Sequence, residues 1–397
     1  MLTSLSFMLL FGMALGWIFD KLRFPNLLGM LIAGMVLGPH ALNVLDASII
    51  SISPDLREMA LIIILTRAGL SLDINDLKRV GRPAVLLSFI PACFEILGMI
   101  LIAPKLLGIS VLDAAVMGAV IGAVSPAVVV PKMLYLMENR CGTGKSIPQL
   151  IMAGASVDDV FVIVMFTAFV GLAQGTNISA VSFLQIPVSI VTGASTGILL
   201  GLYIAFFMKR LHIRDSAKVI VILGISFLLV AAERQLKNVI PFSGLLAVMS
   251  LGVALRKWNE TVAERLSAKF SKLWVGAEII LFVLVGATVD LRYAVNAGIP
   301  AIFVILSVLV FRMIGVFISV LKTPLNIKER FFCMIAYIPK ATVQAAIGSI
   351  PLSLGLSCGN TVLTVAVLAI LITAPLGAFG IDATHERLLS RENTPGY

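Results

Sequence analysis

Two adjacent carboxylates, Asp158 and Asp159, stand in the run AGASVDDVFVIVMFT from Ala153 to Thr167. The apolar stretch that contains them, 148–173, is long enough to cross a bilayer, which takes about 17–25 helical residues. An ionised Asp near a bilayer centre costs about 2.5–3.5 kcal/mol on insertion scales. Two in a row cost more, because like charges so close resist joint ionisation. Such a pair needs compensation, and a cation or a proton supplies it. The stretch therefore reads as a cation- or proton-binding site inside a membrane.

The rest of the chain agrees with a membrane setting. Soluble domains carry about 25% charged residues. Here the 397 residues are 13% charged and 59% hydrophobic, with a mean hydropathy of +1.06. The fold class is all-α and polytopic, with no polar stretch long enough for a separate soluble domain. The net charge of +9 does not indicate nucleic acid, because the basic residues are scattered through short loops, as membrane topology requires. Cys93, Cys141, Cys333 and Cys358 have no metal-type spacing, which speaks against zinc or a disulfide framework. His40, His212 and His385 fall in loops or the tail. No cofactor is expected, and no nucleophile–base set or metal-ligand set points to an enzyme. Lys21 is the first basic residue, so the first apolar run lacks a signal peptide's basic start and reads as a retained helix.

Hydropathy predicts thirteen spans, at about 2–19, 25–39, 57–72, 83–103, 112–134, 148–173, 185–208, 217–236, 241–256, 273–290, 300–321, 328–351 and 359–380. With the N-terminus outside, one side of the membrane collects 22 basic residues and the other 5. The larger set includes Lys78, Arg79, Lys132, Lys209, Lys322 and Arg387; the smaller is Arg57, Lys105, Arg234, Lys237 and Arg292. The positive-inside rule then places the C-terminus in the cytoplasm. The charged stretch Arg256 to Lys272 is amphipathic and reads as an interfacial linker between the two halves.

A repeat runs through the chain. A shift of 217 residues aligns Gly69 with Gly286, Asp73 with Asp290, Pro83 with Pro300, Ala84 with Ala301 and Gly98 with Gly315. The same shift sets Glu95 opposite Arg312 and Ser125 opposite Thr342. Spans 2 to 6 and 9 to 13 thus form two five-helix repeats. Seven spans separate equivalents, so the repeats are inverted, a plan that places a binding site near the bilayer midplane.

Span 5 carries Pro126 and Pro131, and its repeat mate, span 12, carries Pro339. Proline removes an amide donor and clashes with the preceding turn. Breaks in corresponding spans of inverted repeats point to two discontinuous helices crossing at the site. Their ends offer free carbonyls and amides, and Ser125 and Thr342 offer hydroxyls as cation ligands. Lys340 follows the second break; it either balances helix dipoles or pairs with Asp158 and is released when a cation binds. Carboxylate, hydroxyl and carbonyl oxygens suit a hard cation such as Na⁺ or Li⁺. Glu95 and Arg312 read as a structural ion pair, with a part in proton transfer as the alternative. Arg67 and Glu278 are further intramembrane charges with structural or gating roles. CGTGKS at 141–146 lacks the first glycine of a phosphate-binding loop and a preceding strand. Gly193, Gly197 and Gly201 suit helix packing, within the subunit or at a dimer interface.

SVDDVF in span 6, AVSPAVVVP in span 5 and IPKATVQAAIG in span 12 resemble the monovalent cation:proton antiporter-2 superfamily, and within it the NHA-type Na⁺/H⁺ antiporters. The resemblance covers nearly the whole chain. It implies one membrane transporter unit, 1–397, of the Na⁺/H⁺ antiporter fold. Core helices at about 57–173 and 273–380 would move like an elevator against dimerisation helices at about 1–39 and 185–256. It implies a homodimer in the plasma (inner) membrane, in contact with lipid, exchanging Na⁺ or Li⁺ for H⁺. By motif, Asp158 and Asp159 are the Na⁺ and proton carboxylates and Lys340 the crossing-helix lysine. Many relatives carry Thr-Asp in the span 5 break; Ser125-Pro126 stands here, as in the NHA-type branch. K⁺/H⁺ exchange, or a cation-gated channel or membrane sensor, are the alternatives.

Overall fold

The computed structural model describes residues 1–72, 81–175, 180–210, 214–236, 241–289 and 291–391. Asp73, Asp290, Lys78, Arg79, His212 and Lys237, used above, lie outside the described residues. Regular structure among the described residues is helical, apart from an isolated antiparallel bridge between Cys141 and Arg391. In chain order the helices are α1 (Leu2–Lys21), α2 (Asn26–Leu37), α3 (Ala47–Ser51), α4 (Ser53–Ser71), α5 (Arg82–Leu87) and α6 (Ile90–Leu107). There follow α7 (Val111–Ile121), α8 (Pro126–Glu138), α9 (Ile147–Gln174), α10 (Ala180–Arg210), α11 (Asp215–Leu236) and α12 (Gly244–Trp258). The chain continues with α13 (Glu260–Ala287), α14 (Leu291–Ser319), α15 (Ile327–Ala336), α16 (Thr342–Ile347), α17 (Ile350–Ser353) and α18 (Gly359–Leu388). Among the described residues, nine helical runs are long and apolar enough to cross a membrane, and α2 is a shorter apolar helix.

Proline sets the interruptions. Span 5 divides into α7 and α8 because Pro126 occupies the first position of α8, where no amide is needed. Ser125 ahead of it is extended, at φ −89° and ψ 109°, as a residue preceding proline tends to be. Span 12 divides at Tyr337–Ala341, around Pro339, into α15 and α16. Span 4 is also divided, between α5 and α6, which the hydropathy pattern did not predict. Pro91 at the start of α6 cannot donate to Leu87, and the Ser88 hydroxyl instead donates to Ala84 O at 2.9 Å.

The stretch Arg256 to Lys272 is helix rather than linker. It forms the end of α12 and the first turns of α13, which runs on unbroken into the tenth predicted span. Arg256 bonds Glu260 at 3.1 Å and Glu264 at 3.2 Å. Val262, Ala263, Leu266 and Phe270 bury one face, the spacing of an amphipathic helix. The last span is longer than predicted, and α18 carries His385 and Arg387 in its final turn, where basic groups suit the helix dipole.

Two compact units divide the chain. The first comprises Met1–Ile50, Asn75–Phe169 and Phe282–Tyr397, the second Ser51–Ile74 and Val170–Leu281. Within the first, α6 and α14 pack by a reciprocal glycine contact. A side chain on Gly98 would meet the Phe311 ring, and one on Gly315 would meet the backbone at Pro91 and Ile90 and then Phe94 Cβ. These four positions exchange under the shift of 217. At one end of this unit, Leu87, Val124, Met133, Cys141, Phe332 and Tyr337 share an apolar cluster with Leu389, while Gly142 N–H donates to Ser390 O at 2.9 Å.

Within the second unit, Gly193, Gly197 and Gly201 line the face of α10 that meets α12. A Cβ on Gly193 would lie 2.5 Å from Ser243 O, one on Gly201 would lie 2.6 Å from Leu251 O, and one on Gly197 would strike Ala247 O. The glycine series therefore serves packing within the subunit. Nothing lies within 4 Å of a Cβ on Gly224. Gly197→Leu is expected to lower stability by about 1–3 kcal/mol through overpacking, and Gly224→Ala, inside α11, to raise it by about 0.5–1 kcal/mol. Thermal unfolding of the detergent-solubilised protein measures both.

Candidate functional site

The two helix breaks meet. Ser125 N–H donates to Pro339 O at 2.7 Å, and the Ser125 and Thr342 hydroxyls lie 3.2 Å apart. These residues are repeat equivalents, and the contact puts the two discontinuous helices across one another. Helix α9 runs beside the crossing. The Val124 amide, freed by the break, donates to Asp158 Oδ2 at 2.8 Å.

Arg312 joins the carboxylates to the breaks. Its Nη2 donates to Asp158 Oδ2 at 2.7 Å and its Nη1 to Glu95 Oε2 at 2.8 Å. Nη1 also donates to Gly122 O, and Nε donates to Tyr337 O at 2.9 Å. The guanidinium carbon lies 5.5 Å from the Tyr337 ring centre, within cation–π range. One planar fork thus binds an acid from α6, an acid from α9 and a carbonyl from each break. Lys340 Nζ lies 2.7 Å from Glu95 Oε1 and 2.8 Å from Oε2, and donates to Ile121 O at 2.6 Å. Glu95, Asp158, Arg312 and Lys340 are all at most 1% exposed. The two acids and two bases balance when all four are ionised, which is the condition for burying them.

Of the two readings for Lys340, the pair with Asp158 is not formed, while Lys340 does bond the Ile121 carbonyl at the end of α7. Asp158 pairs with Arg312, and Lys340 pairs with Glu95. Donor geometry accounts for the exchange of partners. Arginine has five N–H groups in a fixed plane and can serve separated acceptors together, whereas lysine is a compact charge. The predicted Glu95–Arg312 contact is present at 2.8 Å, but it is half of a four-residue network. The half-helix carbonyls expected to face a cation are also engaged, those of Ile121, Gly122 and Ala123 by Lys340, Arg312 and Gln344.

Asp159 stands apart from the balanced network. It is half-buried, it forms no ion pair with a described residue, and its Oδ1 has no hydrogen-bond partner among them. Asp158 Oδ1 is likewise without one, since both donors to Asp158 meet Oδ2. Two acceptor oxygens on neighbouring residues are thus left without a donor among the described residues. Arg67 and Glu278 lie in the second unit, half-buried and within electrostatic reach of each other.

Three participants were not singled out from the sequence. Gln344 donates to Ile121 O at 3.3 Å and Ala123 O at 3.0 Å, Tyr337 offers its carbonyl and ring to Arg312, and the Thr373 hydroxyl accepts from Lys340 N at 3.1 Å. A polar Gln inside the apolar IPKATVQAAIG was a signal; a lone Thr or Tyr in a span was not.

Crossed discontinuous helices, enclosing a balanced charge cluster beside an unpaired carboxylate, define a membrane transporter of the antiporter fold. Residues 6–385 match the family model described as sodium/hydrogen exchanger, transmembrane. The chain belongs to that family. Sodium/hydrogen exchanger 9B2 of Mus musculus is 34% identical over 95% of this chain and 72% of its own length. The Homo sapiens 9B2 protein is 36% identical, covering 92% and 70%. Among solved structures, the sodium proton antiporter MjNhaP1 from Methanocaldococcus jannaschii superposes with a TM-score of 0.84 at 21% identity, over 97% of each chain.

Removing Arg312 strands one buried carboxylate, Asp158, because Glu95 keeps Lys340. Arg312→Met is expected to destabilise the protein by about 3–5 kcal/mol. Adding Asp158→Asn removes the stranded charge and is expected to recover part of that loss. Melting temperatures of the wild type, single and double variants test this, and an unchanged melt for Arg312→Met would contradict it.

Proposed function

We propose that this protein exchanges Na⁺ or Li⁺ for H⁺ across a membrane, with the cation and the proton competing for Asp158 and Asp159. The observation that carries this reading is the charge count around the crossing. Glu95 and Asp158 are matched by Arg312 and Lys340, and Asp159 is the carboxylate left over. Asp159 is half-buried with its Oδ1 buried and unpartnered among the described residues; a carboxylate so placed is favoured neutral, with a bound proton or a bound cation, and one excludes the other. Asp158 Oδ1 and the Ser125 and Thr342 hydroxyls complete an oxygen-only ligand set suited to a small hard cation. Family membership and the names of the relatives, sodium/hydrogen exchangers, support the same substrates.

The charge count also favours one-for-one exchange. With Lys340 bound to Glu95 and Asp158 bound to Arg312, the competition at the pair exchanges a single charge, a proton on Asp159 for a cation shared with Asp158, and either occupant leaves the site neutral. The movement fitting this arrangement is elevator-type alternating access. Core helices at about 57–173 and 273–380 carry the site past dimerisation helices at about 1–39 and 185–256, in a homodimer. The topology that goes with it has thirteen crossings, the N-terminus outside, and the plasma (inner) membrane as its location.

The test is pH-gradient dissipation in proteoliposomes on addition of Na⁺, Li⁺ or K⁺. Na⁺ and Li⁺ are expected to dissipate the gradient and K⁺ not to. Asp159→Asn is expected to reduce the response to background. Moving one net charge per cycle would be worth about 2.3 kcal/mol per 100 mV, so a rate indifferent to clamped voltage identifies one-for-one exchange. Full Na⁺-driven activity in Asp159→Asn would remove the basis of the proposal.

A further inference from the structure

Helix α7 ends at the crossing, and its last carbonyls point away from their own helix. A half-helix C-terminus of this kind carries partial negative charge and binds cations. Three successive carbonyls here are already taken by protein donors. Ile121 O accepts from Lys340 Nζ at 2.6 Å and from Gln344 Nε2 at 3.3 Å. Gly122 O accepts from Arg312 Nη1. Ala123 O accepts from Gln344 Nε2 at 3.0 Å. The next residue, Val124, gives its amide to Asp158, so the covered carbonyls adjoin the carboxylate site.

Gln344 differs from the other two donors. Arg312 and Lys340 each hold carboxylates as well as carbonyls. Gln344 is uncharged, 1% exposed, and directs its amide protons to carbonyls alone. Its orientation is set by chemistry, because the flipped amide would face two carbonyl oxygens with its own oxygen. Its role is therefore not charge balance.

The kind of oxygen left for a cation decides how strongly binding depends on pH. A carboxylate must lose its proton to bind a metal ion, so its affinity changes with pH. A backbone carbonyl has no proton to lose. Building on the exchange reading above, we propose that Gln344 is a coupling residue. By covering the Ile121 and Ala123 carbonyls, it denies the transported cation a proton-independent resting place beside the site. Binding must then go through Asp158 and Asp159 and displace a proton. Gln344 acts through the carbonyls it covers and is a positioning residue; its own Oε1 is buried without a hydrogen-bond partner among the described residues.

The experiment is Na⁺ affinity against pH in proteoliposomes, for wild type and Gln344→Leu, with sodium-tracer uptake and proton movement recorded together. One-proton competition gives the wild type a KM for Na⁺ that rises about tenfold per pH unit on the acid side. Gln344→Leu uncovers Ala123 O, and its KM is expected to rise less steeply, with tracer uptake exceeding proton movement at acid pH. A variant slope parallel to the wild type, with only an offset in KM and unchanged tracer-to-proton ratio, overturns the proposal. Gln344→Met, closer in shape and also lacking the donor, asks the same question if the leucine variant melts at lower temperature than the wild type. A wild type without pH-dependent Na⁺ affinity would instead refute exchange at the Asp pair, so the two failures are distinct.

Discussion

Arg312 is the group on which the interior of the first unit depends. A buried guanidinium must find partners for its planar donors, and breaking such a pairing costs about 3–5 kcal/mol. Here the partners are Glu95, Asp158 and the carbonyls of Gly122 and Tyr337. They come from α6, α9 and both helix breaks. One side chain thus ties the carboxylate helix to the crossing, and bonds in each break a carbonyl, of Gly122 and Tyr337, that the break leaves without a helical donor. The proline residues permit the breaks; the guanidinium gives them a defined shape.

This arrangement changes what a broken helix offers. Discontinuous helices are commonly seen as sources of free carbonyls and amides. In this protein the three carbonyls at the end of α7 are covered by Lys340, Arg312 and Gln344, and the Val124 amide is used on Asp158. Among the described residues, the side-chain acceptors left without a donor here include Asp158 Oδ1, Asp159 Oδ1 and Gln344 Oε1. Two of these oxygens are carboxylates and therefore titratable, which is in keeping with membership of an exchanger family.

Much of this was legible in the chain. Hydropathy located the helical segments, because burying backbone amides in lipid requires helix. The shift of 217 put Glu95 with Arg312 and Ser125 with Thr342, and both pairs touch. Small residues at repeat positions, such as Gly98 and Gly315, anticipated the close approach of α6 and α14, though not that each would receive a phenylalanine from the other helix. The break between α5 and α6 was less legible, since Pro91 begins a helix as readily as it interrupts one.

The sequence by itself determined that the chain is helical and membrane-bound, where two of its helices are interrupted, and that Asp158 and Asp159 are buried charges in need of a counterpart. Those follow from composition and local chemistry, which act over a few residues. Which base meets which acid was decided only by the tertiary structure. Lysine and arginine both satisfy a charge count, but the fork of Arg312 reaches Glu95 and Asp158 together, and Lys340 is left to Glu95 and Ile121. The coverage of the α7 carbonyls by Gln344 is of the same kind. It depends on a donor more than 200 positions away, |i−j| = 221 from Ala123, and no local pattern encodes a contact made through space.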